Sequence, residues 1–483
     1  MKKKRKLLMM LGGLILVFFV IIPLIAGLFI YFRDTPENIT YESEVYNTDS
    51  LEFLYDLTYA DEAGEEVHEQ EIFDEIFLMI EEAEDFLLID MFLFNDDYDH
   101  ADPELDFPQL SQELSDTLIR KKEQNPDIEI IFITDPINTF YRTYLPSHIE
   151  NMKRAGIQVH QTDLGPLRDS NPLYSSFYRV YLQWFGDSQA GWLPNVLRPE
   201  GPEVNLRSYF SLLNFKANHR KTIMNESTAI ITSANPHDAS FYHSNTAFKV
   251  GGPVLEDLMA SERAVLDMAG VDTEVFDGFD IDTGDDTGEY EVQLVTESRI
   301  KAQMLEMIEG TGAGDAIRTG IFYISDRDVI QALKDALDRG VEVQMVLDVN
   351  QDAFGNEKIG IPNKPVAAEL MEHDNPPGIR WYESHGEQYH AKFMMAETDE
   401  GITVTAGTTN FTRRNLDDYN LETNLVVTGS KESEVMQELT AYYERIWNNE
   451  EGTYTSDYEV HSEDIWWKNI LYRIQEGLGT STF

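Results

Sequence analysis

The chain opens on an uncharged run from Leu7 to Phe32, and no second run of that kind follows. A helix of that length spans a bilayer. Beyond it, apolar positions recur in two alternating rhythms. Ile72, Ile76, Phe77, Ile80 and Ala83 share one helical face, and Phe86 to Phe94 reads as a buried strand stopping at Asn95-Asp96. Leu110 to Lys122 reads as a helix and Ile128 to Ile133 as a strand ending at Thr134-Asp135. Ile149 to Ala155, then Gly156 to Val159, reads as a helix, a cap and a strand. The order then repeats. Arg299 to Ile308 is helical, Ala316 to Ile324 is a strand ending at Ser325-Asp326, and Val329 to Leu337 is a helix capped at Arg339-Gly340. Val341 to Leu347 is a strand ending at Asp348, and Val366 to Met371 is a helix before Gly378 to Tyr382. Strands alternating with helices predict an α/β fold with largely parallel sheets, and two passes through one order predict two pseudo-symmetric halves.

These patterns divide the chain into a basic segment 1–6, a transmembrane anchor 7–32, a linker 33–69, a first half 70–270, an acidic linker 271–292, a second half 293–450 and an amphipathic extension 451–483. Asp277 to Asp286 is dense in Gly and Asp, and its spacing misses the EF-hand pattern, so a plain linker is expected there. The first half carries an insertion, 163–215, with Tyr174, Phe177, Tyr178, Tyr181, Trp184, Phe185 and Trp192. It reads equally as a lipid-facing lid or acyl cleft and as ordinary core. Ile465 to Ile474 has helical apolar spacing; packing on the body is expected, with docking at a bilayer surface as the alternative.

Charge sharpens the membrane reading. Lys2, Lys3, Lys4, Arg5 and Lys6 precede the apolar run, which puts the N-terminus in the cytoplasm and the body on the outer face of a cell membrane. A cleaved signal peptide is the alternative, but the run is long for one and no small-x-small site follows. The 483 residues carry a formal net charge of −50, spread along the chain, which disfavours nucleic acid as the main partner. With no cysteine, disulfides, thiolate metal sites and a cysteine nucleophile are excluded.

Each half ends in a matched segment. The first is Asn218-His219-Arg220-Lys221 with Glu226 beyond, then Thr232-Ser233-Ala234-Asn235; the second is Tyr389-His390-Ala391-Lys392 with Glu397 beyond, then Thr408-Thr409-Asn410. On a strand, residues two apart point to one face, so each His and Lys reach one pocket. A single His-x-Lys carries little information. Two copies with Glu and Asn at similar offsets, in repeated halves, point to chemistry. Phosphodiester cleavage without a metal needs a nucleophile, a general acid and fixed positive charge. Two imidazoles supply the first two, and Lys221 and Lys392, with Asn235 and Asn410, would hold the phosphoryl oxygens. His237, His243 and His385 are expected to be loop or supporting residues, and Asp96, Asp135, Asp326 and Asp348 to cap loops at strand ends.

With these segments the sequence resembles the phospholipase D superfamily, whose signature is a duplicated His-x-Lys-x4-Asp motif. The resemblance covers most of residues 70–450, and continues through Asn410-Phe411-Thr412-Arg413-Arg414 and Asn420-Leu421-Glu422. It implies two phospholipase D-like α/β halves with one active site at their interface, a covalent phosphohistidine intermediate and no cofactor or metal. The sequence departs from the signature in Glu226 and Glu397, which replace both aspartates, and in Thr232, where glycine is usual. It looks nearest to bacterial cardiolipin-synthase-like members, which often carry two N-terminal membrane segments where this chain has one. Catalytic roles are expected for His219, Lys221, Asn235, His390, Lys392 and Asn410, and supporting roles for Glu226, Glu397, Glu422, Ser233 and Thr408.

Aligning the halves sets Asn245 opposite Glu422. A carboxylate beside His390 would raise its pKa and an amide beside His219 would not, which suggests His219 as nucleophile and His390 as acid, then base. The expected activity is that of a membrane-anchored phosphodiesterase or phosphatidyltransferase on phospholipid. The alternatives are an exported nuclease of the same superfamily and a non-catalytic lipid-binding scaffold.

Overall fold

A computed structural model describes the chain except residues 1, 99, 101–106, 185–190, 351, 354–355, 358, 464 and 482–483, so Phe185 of the insertion lies outside the described residues. The local signals act as physical chemistry requires. Ile72–Glu82 is a helix that buries Ile72, Phe73, Ile76, Met79 and Ile80. Arg327–Arg339 begins where Asp326 accepts hydrogen bonds from the Asp328 and Val329 amides, and ends at Gly340, whose φ of 84° favours a residue without Cβ.

The two halves build two sheets of the same plan. The first runs Leu51–Asp61, Asn245–Val250, Ala229–Thr232, Lys221–Met224, Phe86–Met91, Glu129–Thr134, Gln158–Gln161. The second runs Tyr290–Thr296, Thr423–Gly429, Ile402–Gly407, Lys392–Glu397, Ala316–Ile321, Glu342–Asp348, Gly378–Tyr382. The sheets are mixed rather than largely parallel. Only the last three strands of each order run parallel, because only they are joined by helical crossovers. The segments carrying the His-x-Lys pairs fold back as antiparallel ladders instead.

Residues 33–69 are not a linker. Tyr46–Thr48 pairs with Tyr290–Thr296 of the second sheet, and Leu51–Asp61 pairs with Asn245–Val250 of the first. One stretch thus hems both sheets, since each leaves an edge whose amides and carbonyls need partners. The C-terminal extension does the same: Gly452–Thr453 adds to Leu51–Asp61, and Thr455–Asp457 to Gly378–Tyr382. The second half accordingly begins at strand Tyr290–Thr296, inside the acidic stretch expected to end at 292.

One apolar core runs between the sheets. Phe53 has its ring 5.6 Å from Phe248 of the first half and 5.4 Å from Tyr442 of the second. Beyond the body, Lys3–Tyr31 forms a helix of 29 residues, with mean hydropathy 3.0 over an 18-residue stretch, long and apolar enough to cross a membrane. Trp466–Leu478 is a helix that buries Lys468, Tyr472 and Glu476 on the body and leaves Trp466 and Ile470 outward.

Phe53→Ala opens a cavity shared by both halves and should cost about 3–5 kcal/mol. Thermal unfolding followed by circular dichroism should show the whole transition shifting down as one; loss of only part of the signal would show that the halves unfold independently.

Candidate active site

The two strands that begin at Lys221 and Lys392 start at the boundary between the sheets. Just before each, the chain crosses to the other half. The His219 amide donates to the Leu421 carbonyl at 2.8 Å and the Leu421 amide to Ala217 at 3.0 Å. Symmetrically, the His390 amide donates to Ser244 at 2.8 Å and the Ser244 amide to Gln388 at 3.0 Å. Each histidine is thereby fastened beside the residue that precedes the other half's polar partner.

The side-chain pairing is therefore crossed. His219 Nδ1 lies 2.9 Å from Glu422 Oε2, and His390 Nδ1 lies 3.1 Å from Asn245 Oδ1. This corrects the expectation that Glu422 stands beside His390. The alignment of the halves matched Asn245 to Glu422 correctly, but partners at a two-fold interface come from opposite halves. The surroundings repeat in both copies. Ser233 donates to Asn245 at 3.0 Å, and Thr408 to Glu422 at 2.6 Å. Asn415 gives a further hydrogen bond to Glu422. With Nδ1–H donated to a fixed acceptor, each imidazole keeps Nε2 as its free lone pair.

The lysines are held just as symmetrically. Lys221 Nζ donates to the His219 carbonyl at 2.8 Å and Lys392 Nζ to the His390 carbonyl at 2.7 Å. Each ammonium lies over an aromatic ring, Phe92 at 5.0 Å and Phe322 at 5.6 Å. The same rings sit 4.8 Å from His219 and 5.1 Å from His390. Phe92 and Phe322 read in the sequence as ordinary strand residues; their equal place after matched strands is the signal that marks them.

Burial sets the electrostatics. His219 and His390 are only 8 % and 7 % exposed, which leaves them room for one small polar group rather than bulk water. Desolvation pushes His219 down to about 4 against the pull of Glu422, and pushes Lys221 down to about 7. His390 and Lys392 fall well below their ordinary values through burial and mutual repulsion. Glu422 is lowered: burial opposes this, but the His219 and Lys221 charges outweigh it. Burial thus favours neutral imidazoles and destabilises the ammonium groups, a setting that an entering anion relieves.

Other expected residues fall at varied distances. Asn235 accepts from the Leu93 amide at 3.3 Å, and Asn410 Oδ1 is buried without a hydrogen-bond partner among the described residues. Glu226 and Glu397 are outside the site. Five residues along an extended strand from the lysine is about 17 Å. There Glu226 accepts from the Glu84 amide at 2.7 Å, and Glu397 pairs with Arg318 and Lys431. The change from Asp to Glu is consequently a matter of strand ends. Asp135 and Asp348 do more than cap loops. Asp135 accepts from the Asn218 amide and Asp348 from the Tyr389 amide, both at 2.8 Å, holding the residue before each histidine. Asp326 caps a helix, and Asp96 pairs with Arg198. The His243 ring lies 5.8 Å from that of His390, while His237 bonds Ser240 and His385 pairs with Glu387.

Residues 304–447 match the family described as cardiolipin synthase, PLD-like domain. The chain thus carries a phospholipase D-like domain over that stretch. Its fold is similar to that of a phosphatidylserine synthase from Haemophilus influenzae Rd KW20, with 10% identity, a TM-score of 0.54, and 94% of this chain and 97% of that one covered. A phospholipase D family member, Nuc from Salmonella typhimurium, matches 34% of this chain over 98% of its own, at 21% identity and a TM-score of 0.27. A search of curated proteins finds no match.

Arg220, the middle residue of the first His-x-Lys, is fully buried. It donates to Glu297 at 2.9 Å and to Ser261, with Glu262 at 3.5 Å. Its loss leaves buried carboxylates without a cation, so Arg220→Met should destabilise the fold by about 3–5 kcal/mol. Urea denaturation measures this; an unchanged midpoint would show the cluster to be electrostatically idle.

Proposed function

We propose that this enzyme cleaves or transfers the phosphodiester of a membrane phospholipid through a phosphohistidine on His219, while its N-terminal helix anchors it in the bilayer with the body outside. The crossed pairing carries the reading. His219 Nδ1 faces a carboxylate that accepts three hydrogen bonds from named side chains, so its Nε2 is oriented for attack. As Nε2 bonds to phosphorus, the imidazole becomes cationic, and Glu422 stabilises that charge. His390 faces only the amide of Asn245, which orients the ring without fixing its charge. The diester's negative charge offsets the repulsion from Lys221 and Lys392 and raises the proton affinity of His390. His390 then delivers a proton to the departing alkoxide as the phosphorus–oxygen bond breaks, and in the second step takes a proton from the acceptor hydroxyl. The acceptor is water in hydrolysis and a lipid alcohol in transfer. The role of His219 is thus the one suggested by the sequence, but on the opposite electrostatic ground.

Three features favour phospholipid: the apolar helix, the match of residues 304–447 to a cardiolipin-synthase-like domain, and the net charge of −50, which repels a polyphosphate backbone. A cardiolipin-synthase-like transfer is the finer form of the proposal.

Full-length enzyme with labelled phosphatidylglycerol vesicles should form phosphatidic acid if it hydrolyses, and cardiolipin if it transfers. His219→Ala should lower turnover by on the order of 10³-fold or more. Turnover of no lipid, or a variant equal to the parent, overturns the proposal, and faster cleavage of DNA than of vesicles favours the nuclease.

The pH profile of kcat/KM on soluble bis(p-nitrophenyl) phosphate reports the free enzyme. His390 must gain a proton and is lowered by burial, so the rate already declines with pH, and because Lys221 must be charged to bind the phosphoryl group and burial brings it to about 7, the fall should steepen above about 7. His219 must be neutral and stays so down to about 4, so no loss is expected between pH 6.5 and 5. Glu422 raises the proton affinity of Lys221, so Glu422→Gln should move the alkaline limb to lower pH, along with an activity loss of about 10²–10⁴-fold. An alkaline limb left in place would remove Glu422 from the site's electrostatics.

A further inference from the structure

The insertion 163–215 does not pack only on the body. Read from 168 to 181, it descends along the apolar N-terminal helix. Arg168 Nε donates to the Arg33 carbonyl at 2.9 Å. At Gly27 an added Cβ would lie 3.0 Å from Ser176 Cβ and 3.4 Å from the Pro172 carbonyl, so the glycine permits close approach. The Tyr181 hydroxyl bonds to the Phe18 carbonyl, and its ring lies 4.8 Å from that of Phe18. Fifteen helical positions separate Arg33 from Phe18, about 22 Å along the axis. The apolar run is longer than a hydrocarbon layer about 30 Å thick; with Lys6 at the inner surface, Phe18 stands twelve positions, about 18 Å, above it, so Tyr181 lies in the outer half, about 12 Å below the outer surface.

The composition suits that depth. Between Asp169 and Asp187 there is no acidic residue, in a chain with 87 of them. Residues 172–182 are helical, so their backbone groups are largely satisfied internally, as lipid requires. The one charge in this stretch, Arg179, turns back to Asp169 at 2.6 Å and to the Gly165 and Leu167 carbonyls. Leu173 and Trp184 are 68 % and 76 % exposed, which a water-facing loop would not favour.

Beside this stretch is a cavity of about 410 Å³ whose lining includes Arg142, Arg179, Arg207, Lys216, Asp163 and Asp169. Asp169 is taken by Arg179 and by Lys216 at 2.6 Å, and Arg142 makes no ion pair among the described residues. The lining is therefore net positive in a chain of net charge −50. Thr162, also on its wall, accepts from the side chain of Asn218, next to His219.

We propose that residues 172–184 are a second membrane element, seated in the outer half of the bilayer against the anchor, and that the cavity holds the phosphate of a phospholipid headgroup from that leaflet. This rests on the anchored phospholipid reading above, and deepens it by naming where the enzyme meets its lipid. The chain has no cysteine, so single nitroxide labels can be placed in the full-length protein. In nanodiscs of phosphatidylglycerol and phosphatidylcholine, labels at Leu173→Cys and Trp184→Cys should collide more with oxygen than with a water-soluble nickel chelate. A label at Glu400→Cys, in an exposed turn of the second half, should do the reverse. Labels at 173 and 184 that behave like the one at 400 overturn the membrane element, and this readout needs no turnover. Native mass spectrometry of the detergent-solubilised full chain with phosphatidylglycerol should show one more bound lipid for the parent than for Arg142→Ala/Arg207→Ala. Equal lipid counts, or no bound lipid in the parent, overturn the cavity assignment. Turnover of vesicles decides the proposed function separately.

Discussion

The structure depends on one constraint: the histidine of each His-x-Lys pair takes its orienting acceptor from the other half of the chain. A neutral imidazole with a buried Nδ1–H needs a partner, and neither half can supply its own. His219 finds Glu422 and His390 finds Asn245 only when the two sheets meet in one register. The reciprocal backbone bridges, from His219 to Leu421 and from His390 to Ser244, set that register with four hydrogen bonds. The shared core around Phe53, Phe248 and Tyr442, and the stretch 46–61 that hems both sheets, make the meeting permanent.

The pseudo-symmetry is nearly complete in geometry and broken in charge. Ser233 and Thr408, Phe92 and Phe322, Asp135 and Asp348 hold equivalent places. One carboxylate facing one amide is what separates the two imidazoles. In the proposed mechanism, the carboxylate stabilises the positive charge that a phosphorylated His219 ring carries. An amide lets His390 gain and lose its proton. The cost is paid in desolvation of Lys221 and Lys392, whose ammonium groups lie in a near-dry interface and are relieved by a bound anion.

The apolar N-terminal helix brings the same logic to the protein's surroundings. An acidic body would drift from an anionic membrane, yet the insertion beside the helix has no acidic residue over its middle and its one arginine is neutralised within the fold. The net positive cavity lies between that apolar segment and the strand end that carries Asn218 and His219.

Much of this was legible along the chain. The period of apolar positions located most helices and strands, the duplicated His-x-Lys located the lysines and histidines, and the alignment of Asn245 with Glu422 was sound. These are local or repeated patterns, and local spacing encodes them. Four things were not legible. Residues 33–69 read as a linker because edge strands take their meaning from a distant partner. The sheets were expected to be parallel because alternation of elements does not say which strands turn back as hairpins. Glu226 and Glu397 read as site residues because proximity in sequence does not show that an extended strand carries them away. Above all, Glu422 belongs to His219 and not to His390, since a partner across an interface is chosen by the packing of two sheets, and hydrogen bonds between halves leave no periodic trace in either.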